Sequence, residues 1–186
     1  MPKHPDHYRL PTAITPDVVE VILKQLDHLP QEDSTVIGMT NSEARSFRNS
    51  KVLWLPTDCW VSGMLAHFIT SANIMVFEYD LDYWSNYIQY TVYEGKGTEY
   101  GWHTDQAESE FDEGRIRKLS ISLCLSSKDD YEGGEFQVMM GNKMFSYKMD
   151  VGEAIVFPSD CLHRVRPLKS GKRVSLVGWY GGPKFK

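Results

Sequence analysis

The residues of this chain with the clearest chemical potential are a histidine and an aspartate two positions apart, in the segment YGWHTDQ at 100–106. His103 and Asp105 point the same way in extended backbone, because strand side chains alternate between two faces. Imidazole and carboxylate are ligands of several divalent metals. Short H-x-D segments also occur as ordinary polar pairs at strand ends, so a metal site requires a third ligand.

Only one further histidine falls in the strand-rich part of the sequence. His163 follows the apolar run AIVFP at 154–158 and a turn. Two histidines and one carboxylate leave coordination positions open, which suits a non-haem Fe(II) that takes a bidentate co-substrate and O₂. Catalytic zinc uses the same residue types, and a capping or core role for His163 is the structural alternative. The other histidines lie in the N-terminal tail or in predicted helices: His4, His7, His28 and His67.

A buried cation is the second chemical feature of the sequence. Arg173 and Ser175 share one face of the last predicted strand, together with Trp179. A buried guanidinium is costly unless it is paired, and no acidic residue alternates onto this face, so an anionic ligand is an economical partner. Arginine binds a carboxylate bidentately, a serine hydroxyl adds a donor, and Tyr93 is the expected further hydrogen bond from a neighbouring strand. The alternative is an exposed arginine bonded to water.

Two helices and a series of short strands must position these side chains. Apolar residues recur at helical spacing over 15–30 and about 57–72. After residue 73 the spacing changes to two, first in NYIQYTVYE and then in RKLSISLCLS. The pattern predicts a β-sandwich or barrel with helices packed on one face. The predicted buried stripes of the helices are Val18, Ile22, Leu26 and Leu29, and then Val61, Leu65, Phe68, Ile69 and Ala72.

Length and composition narrow the class of protein. A chain of 186 residues fits one domain, and its net charge of −5 disfavours general nucleic-acid binding, which draws on lysine and arginine. The three cysteines have no C-x-x-C spacing, which predicts a reducing, cytoplasmic environment. We expect neither a signal peptide nor a membrane helix, since no stretch approaches the roughly 18 apolar residues that a span needs.

Taken together, the motifs resemble the Fe(II)/2-oxoglutarate-dependent dioxygenases, in the prolyl-4-hydroxylase-like branch found in eukaryotes, bacteria and phages. The matching pieces are TVYEGKGTEYGWHTD, RKLSISLCLS, YEGGEF and GEAIVFPSDCLHRVRPLKSGKRVSLVGW, which follow in the family's order. The resemblance implies an α+β, mainly β fold with a double-stranded β-helix (jelly-roll) core over 85–181. It further implies an N-terminal helical support region over 1–84, the two forming one domain over 1–186.

The resemblance also assigns roles to individual residues. It implies that Fe(II) is held by His103, Asp105 and His163. It implies that 2-oxoglutarate is bound through Arg173, with Tyr93, Ser175 and Trp179 beside it. Tyr100 and Arg117 match positions that face the peptide in prolyl hydroxylases.

The implied reaction is hydroxylation of a substrate C–H bond, on peptidyl proline, coupled to oxidative decarboxylation of 2-oxoglutarate to succinate. Its co-substrates are 2-oxoglutarate and O₂, and ascorbate is a further expected cofactor. Asp105 points to hydroxylation, because related halogenases lack this carboxylate. The polar segment from 106 to 114 is predicted to form a mobile lid. The alternatives are a free amino acid or small metabolite as substrate, a zinc-dependent hydrolase with the same triad, and a non-catalytic binding module.

Several positions depart from the family pattern. The segment between Tyr93 and Tyr100 is one residue longer than in the family pattern. Cys124 replaces the tyrosine that is usual at its position, and Arg173 stands where collagen-type enzymes use lysine. Trp179 occupies the position where nucleic-acid demethylases carry a second arginine, which disfavours nucleic acid as substrate. These departures weaken the inference about a peptide substrate more than the inference about 2-oxoglutarate.

Overall fold

Antiparallel sheets make up most of the molecule. The structure is a computed structural model that describes residues 7–35, 40, 43, 46–106 and 114–185. It contains helices α1 (Pro16–Leu26) and α2 (Trp60–Ala72), and α2 continues as a π-helical segment at Asn73–Phe77. The strands are β1 (Tyr8–Leu10), β2 (Glu32–Asp33), β3 (Arg48–Asn49), β4 (Lys51–Pro56), β5 (Tyr83–Trp84), β6 (Tyr87–Glu94), β7 (Glu99–His103), β8 (Arg115–Cys124), β9 (Tyr131–Gly133), β10 (Phe136–Met140), β11 (Lys143–Tyr147), β12 (Ala154–Pro158), β13 (His163–Val165) and β14 (Leu168–Pro183).

The strands form two sheets. The larger sheet has nine strands in the order β1-β12-β8-β14-β6-β4-β2, with β5 and β9 also paired to β14. The smaller sheet has five strands in the order β11-β10-β13-β7-β3. Neighbouring strands pair antiparallel in both sheets. The predicted α+β, mainly β class is therefore the class that is observed.

Strand β14 lies in the middle of the larger sheet and positions several predicted site residues. It is paired with β6 on one side and with β8 on the other. Because strand side chains alternate, Arg173, Ser175 and Trp179 share one face of β14. Arg173 stands opposite Tyr93 on β6, and Ser175 stands opposite Cys124 on β8. The central strands thus carry polar residues on one face while the other face packs into the core with the helices.

The two helices cover the larger sheet. Helix α1 buries Val19, Ile22 and Leu26 and ends at Leu26, where the prediction extended it to residue 30. At this end the backbone N–H of Asp27 bonds the carbonyl of Leu23, and its carboxylate is held by side chains of the sheet. Val18 and Leu29 of the predicted stripe are only partly buried. In α2 the buried residues include Val61, Leu65, Ile69 and Ala72, and Phe68 is partly buried.

One expectation about the second helix needs correction. The stretch Trp60–Phe77, 18 residues long, is apolar and long enough to cross a membrane by length and composition, although no such stretch was expected. In this fold α2 packs on β14, β8 and β12 of the larger sheet, and its buried face belongs to the hydrophobic core. A core helix of a soluble protein meets the same length and composition criterion.

The N-terminal part of the chain contains strands that the sequence pattern did not predict. β1, β2 and β4 extend the larger sheet, and β3 forms an edge of the smaller one. Each is short, at two to six residues, so a period of two has little room to appear. The division of the chain into a support region and a core at residue 85 stays a prediction.

Candidate metal centre

The His–Asp–His triad assembles where two strands of the smaller sheet meet. β7 ends at His103, β13 begins at His163, and these two residues are directly paired across the strands. Asp105 follows two residues after β7. Its Oδ1 lies 3.6 Å from Nε2 of His103, and its Oδ2 lies 3.4 Å from Nε2 of His163. One potential ligand atom from each residue lies within 4.8 Å of the others, which is the spacing of ligands around one metal ion.

Backbone carbonyls orient both imidazoles. Nδ1 of His103 is 2.8 Å from the carbonyl oxygen of Gly101, and Nδ1 of His163 is 3.0 Å from that of Cys161. A carbonyl only accepts hydrogen bonds, so each Nδ1 carries the proton and donates it. Nε2 is therefore the ring nitrogen that each histidine turns toward Asp105 and offers to a metal.

The electrostatics of the triad favour the protonation states that bind a metal. Burial, and then the neighbouring His163, lower the pKa of His103 to about 3, so this imidazole is neutral at neutral pH. Burial alone would raise the pKa of Asp105, but the adjacent His163 and His103 outweigh it and hold that pKa below its usual range. Two imidazoles and one carboxylate are a donor set that fits Fe(II).

Arg173 is buried, and its described contacts include no carboxylate. Its side chain is 1% exposed, Nη1 donates to Oγ of Ser175 at 3.3 Å, and Nη2 lies 4.0 Å from Sδ of Met149. Nε has no hydrogen-bond partner, and no acidic residue pairs with this guanidinium in the described parts of the chain. Because an isolated buried cation is costly, these contacts fit a site that is completed by an anion.

The triad opens onto a cavity of about 330 Å³. Its wall contains the three candidate ligands and five more of the residues selected from the sequence: Tyr93, Tyr100, Arg117, Ser175 and Trp179. Arg173 is not on the wall, but it is connected to it through the hydroxyl of Ser175. The structure therefore brings the predicted ligand, co-substrate and substrate residues together around one space.

Aromatic and cationic groups frame this cavity. The ring of Tyr100 stacks on the imidazole of His103 with 3.5 Å between ring centres, and burial raises the pKa of Tyr100 to about 12. The guanidinium of Arg117 lies 4.1 Å from the ring centre of Trp179, and its Nη1 is 3.5 Å from the main-chain oxygen of Asp105. At neutral pH, Tyr100 is thus a neutral hydroxyl beside the metal ligands.

Sequence reasoning missed Arg48. This side chain lies on the cavity wall, is 7% exposed, and has its guanidinium carbon 4.3 Å from the ring centre of Tyr100. Its strand β3 is only two residues long, so no periodic pattern marks it in the sequence. An arginine in an otherwise polar stretch reads as a surface residue, and only the pairing of β3 with β7 brings it to the site.

The predicted lid falls largely outside the described residues, since 107–113 are not among them. The neighbouring Gln106 does lie on the cavity wall, and its backbone N–H donates to the carbonyl of Ser159 at 3.0 Å. The lid stays a prediction.

Comparison with known proteins agrees with this site. The sequence model of the 2OG-Fe(II) oxygenase superfamily matches residues 88–181, about half of the chain. A PKHD-type hydroxylase of Synechococcus sp. (strain CC9902) is 46% identical over 85 residues, which are 45% of this chain and 36% of that protein. The chain spans well under half the length of the curated relatives it matches.

Solved structures share the fold over nearly the whole chain. A prolyl-4-hydroxylase of Pseudomonas putida superposes with a TM-score of 0.70 at 16% identity, covering 98% of this chain and 95% of that one. A prolyl hydroxylase of Trichoplax adhaerens, solved with a hypoxia inducible factor peptide fragment, gives a TM-score of 0.73 at 17% identity and covers 94% and 83%. These matches confirm the predicted jelly-roll core. With the family match and the triad, they establish that the chain belongs to the 2OG-Fe(II) oxygenase superfamily.

Proposed function

We propose that this chain is an Fe(II)- and 2-oxoglutarate-dependent dioxygenase that hydroxylates a substrate C–H bond. The observation that carries the proposal is the joint presence of an open His–Asp–His triad and of Arg173, a buried cation whose described contacts include no carboxylate. A metal-binding triad alone fits several reactions. A triad with an unmatched cation behind the same cavity fits a reaction whose co-substrate is a chelating dicarboxylate.

Each site residue has a separate proposed role. His103, Asp105 and His163 would hold the iron, which when bound supplies the capacity to activate O₂ for oxidation of a C–H bond. Arg173 would bind the far carboxylate of 2-oxoglutarate, and Ser175 and Tyr93 would add hydrogen bonds to it. Trp179 and the ring of Tyr100 line the cavity and would shield the bound co-substrate from water.

Peptidyl proline is the proposed substrate. Support comes from relatives named PKHD-type hydroxylases and from fold neighbours that are prolyl hydroxylases. Tyr100 and Arg117, which match peptide-facing positions in the family, both lie on the wall of the cavity. A free amino acid or small metabolite is the second candidate, since a cavity of about 330 Å³ is large enough to hold one beside the co-substrate.

A zinc-dependent hydrolase is less well supported. Such an enzyme needs a general base near the metal in addition to the ligands. Asp105 is the only carboxylate on the described part of the cavity wall, and it belongs to the triad. A cytoplasmic location, a requirement for ascorbate, and the absence of nucleic-acid and membrane partners stay predictions.

The visible spectrum of the protein without oxygen tests the proposed function. Adding Fe(II) and then 2-oxoglutarate should produce a weak charge-transfer band, because a bidentate keto acid on Fe(II) absorbs visible light. The band should be absent in His163→Ala and present in Cys59→Ala, a substitution outside the cavity wall. If iron binds and 2-oxoglutarate leaves the spectrum unchanged, the dioxygenase proposal fails and zinc chemistry becomes the better explanation.

A further inference from the structure

Arg48 presents a second buried cation to the same cavity. Nη2 donates to Oε1 of Gln89 at 2.7 Å, and Nη1 lies 3.5 Å from the carbonyl oxygen of Thr35. Its Nε is buried without a hydrogen-bond partner, and no acidic residue pairs with it in the described parts of the chain. Every contact of this guanidinium is therefore with a neutral group or an aromatic ring.

The charge of Arg48 is held rigidly in place. Oε1 of Gln89 also accepts a hydrogen bond from Thr91 at 3.0 Å, which fixes the amide that Arg48 contacts. The planar guanidinium lies over Tyr100, whose ring in turn stacks on the iron-ligand candidate His103. A cation fixed in this way is already oriented for a ligand, so binding costs it little conformational entropy.

The charges that the proposed chemistry places in the cavity do not compensate Arg48. The formal charges of Fe(II), 2-oxoglutarate, Asp105 and Arg173 cancel among themselves, and Asp105 is the only carboxylate on the described wall. Arg48 is left over. Burial of a cation without a counter-charge is unfavourable, and a protein keeps such a group where a ligand supplies the missing charge.

We propose that Arg48 determines specificity by binding a carboxylate of the substrate, so that the preferred substrate is acidic. This inference rests on the proposed function and narrows it. The carboxylate belongs either to a free amino acid such as L-proline or to an acidic residue beside the target in a peptide. In both cases Arg48 and the stacked ring of Tyr100 fix the acid next to the triad, which places a neighbouring C–H bond toward the metal.

Arg48 and Arg173 reach the cavity from different elements of the fold. Arg48 lies on β3 at the edge of the smaller sheet and is itself on the cavity wall, whereas Arg173 lies on the central strand of the larger sheet behind Ser175. Arg48 and Arg173 thus stand on different sheets. Under the proposed function, the arginine behind Ser175 binds 2-oxoglutarate and Arg48, on the wall, binds the substrate.

Matched acids and amides test this assignment. The anaerobic complex of the protein with Fe(II) and 2-oxoglutarate is titrated by calorimetry with N-acetyl-prolyl-glutamic amide against N-acetyl-prolyl-glutamine amide, and with L-proline against L-prolinamide. At least one acid should bind about tenfold more tightly than its amide, as expected for a charge-assisted hydrogen bond. The pair that shows the preference identifies the source of the carboxylate.

The same titrations in variants attribute the preference to Arg48. The preference for the acid over the amide should fall to about twofold or less in Arg48→Gln and return in part in Arg48→Lys. It should persist in the control Arg166→Gln, which removes an arginine that is 49% exposed and paired with Glu135. No preference for either acid, or a preference that survives in Arg48→Gln, overturns the proposal. So does an Arg48→Gln protein that needs about tenfold more 2-oxoglutarate to form the charge-transfer band. If the band never forms in the unsubstituted protein, the proposed function fails instead.

Discussion

Arg173 and Tyr93 stand directly opposite each other on β14 and β6, with the guanidinium carbon 5.6 Å from the centre of the phenol ring. Burial raises the pKa of Tyr93, although the two nearby arginines oppose that shift, so the phenol keeps its proton. The pair therefore offers a permanent cation and a neutral hydroxyl donor on one face of one sheet. A carboxylate uses both kinds of partner, and this relationship makes the co-substrate site testable.

Replacing Arg173 with alanine should weaken binding of 2-oxoglutarate. The variant loses the charge-assisted hydrogen bonds to the far carboxylate, and we expect the half-saturating concentration to rise by about tenfold to a hundredfold. Arg173→Lys should retain most of the affinity, because it keeps the charge. An anaerobic titration followed by the charge-transfer band measures both variants. Equal affinities of Arg173→Ala and the unsubstituted protein would place the dicarboxylate elsewhere.

Asp105→Asn should lose most of its affinity for Fe(II). The amide keeps the shape of the side chain and removes its negative charge, which is the only one in the triad. Mutation of residues that only hydrogen-bond to metal ligands often lowers metal affinity by about tenfold to a hundredfold. Loss of the charge on a ligand itself should lower the affinity for Fe(II) at least as much. Titration of Fe(II) against a competing chelator measures the affinity. The control is Asp160→Asn, at an exposed carboxylate outside the cavity wall; a similar loss there would contradict the assignment.

Gly101→Ala should destabilise the protein through a clash with Phe47. A methyl group at residue 101 would lie 2.6 Å from the Phe47 ring, closer than such contacts occur. We expect a cost of about 1–3 kcal/mol in the free energy of unfolding, the range for overpacking a filled site. In a Phe47→Ala background the cost should largely disappear, since the ring is gone. Urea unfolding of the two single variants and the double variant measures the coupling, and equal costs in both backgrounds would place the strain elsewhere.

Asp27 should make a pH-dependent contribution to stability. The hydrogen bond from Lys172 is the largest cause that lowers the pKa of Asp27, and the hydroxyl of Tyr90 also donates to this carboxylate. A carboxyl with a lowered folded-state pKa stabilises the fold above its unfolded pKa near 4, and that contribution disappears as the pH falls through the folded-state value.

The side chain of Asp27 is 43% exposed, so the interaction is screened by solvent. Asp27→Asn should therefore lower the free energy of unfolding by no more than about 1 kcal/mol at pH 7, and by less at pH 3. Denaturant unfolding at the two pH values measures the difference. Asp129→Asn, at an exposed carboxylate, is the control and should show no such dependence. A larger loss at pH 3 than at pH 7 would reverse the predicted sign.

The central part of the fold and the triad could be predicted because their signals are local. The period of two in β6, β8 and β14 reports side chains that alternate across a sheet, and the same alternation brings Arg173, Ser175 and Trp179 to one face. His103 and Asp105 are two residues apart. His163 was identified because it is the one remaining histidine in the strand-rich region, which requires no knowledge of the pairing between β7 and β13.

The rest depended on contacts between distant parts of the chain. The N-terminal strands are too short to show a period, and their place is set by the strands they pair with. At the C-terminus of helix α1, the carboxylate of Asp27 is held by Lys172 and Tyr90, which lie far along the chain. Arg48 was missed for the same reason, since nothing within its own two-residue strand indicates that it is buried.

Strand β3 is the last strand of the smaller sheet, and β7 is its one partner among the described residues. A substitution in a strand with one neighbour affects its pairing with that neighbour alone. In contrast, β14 is paired on both sides, with β6 and with β8. Under the proposed roles, substrate choice and co-substrate binding then depend on strands that are held in the fold to different degrees. Arg173 and Ser175, the proposed 2-oxoglutarate residues, lie on a strand with neighbours on both sides, and Arg48 lies at a sheet edge, which makes that edge the place to alter for a new substrate.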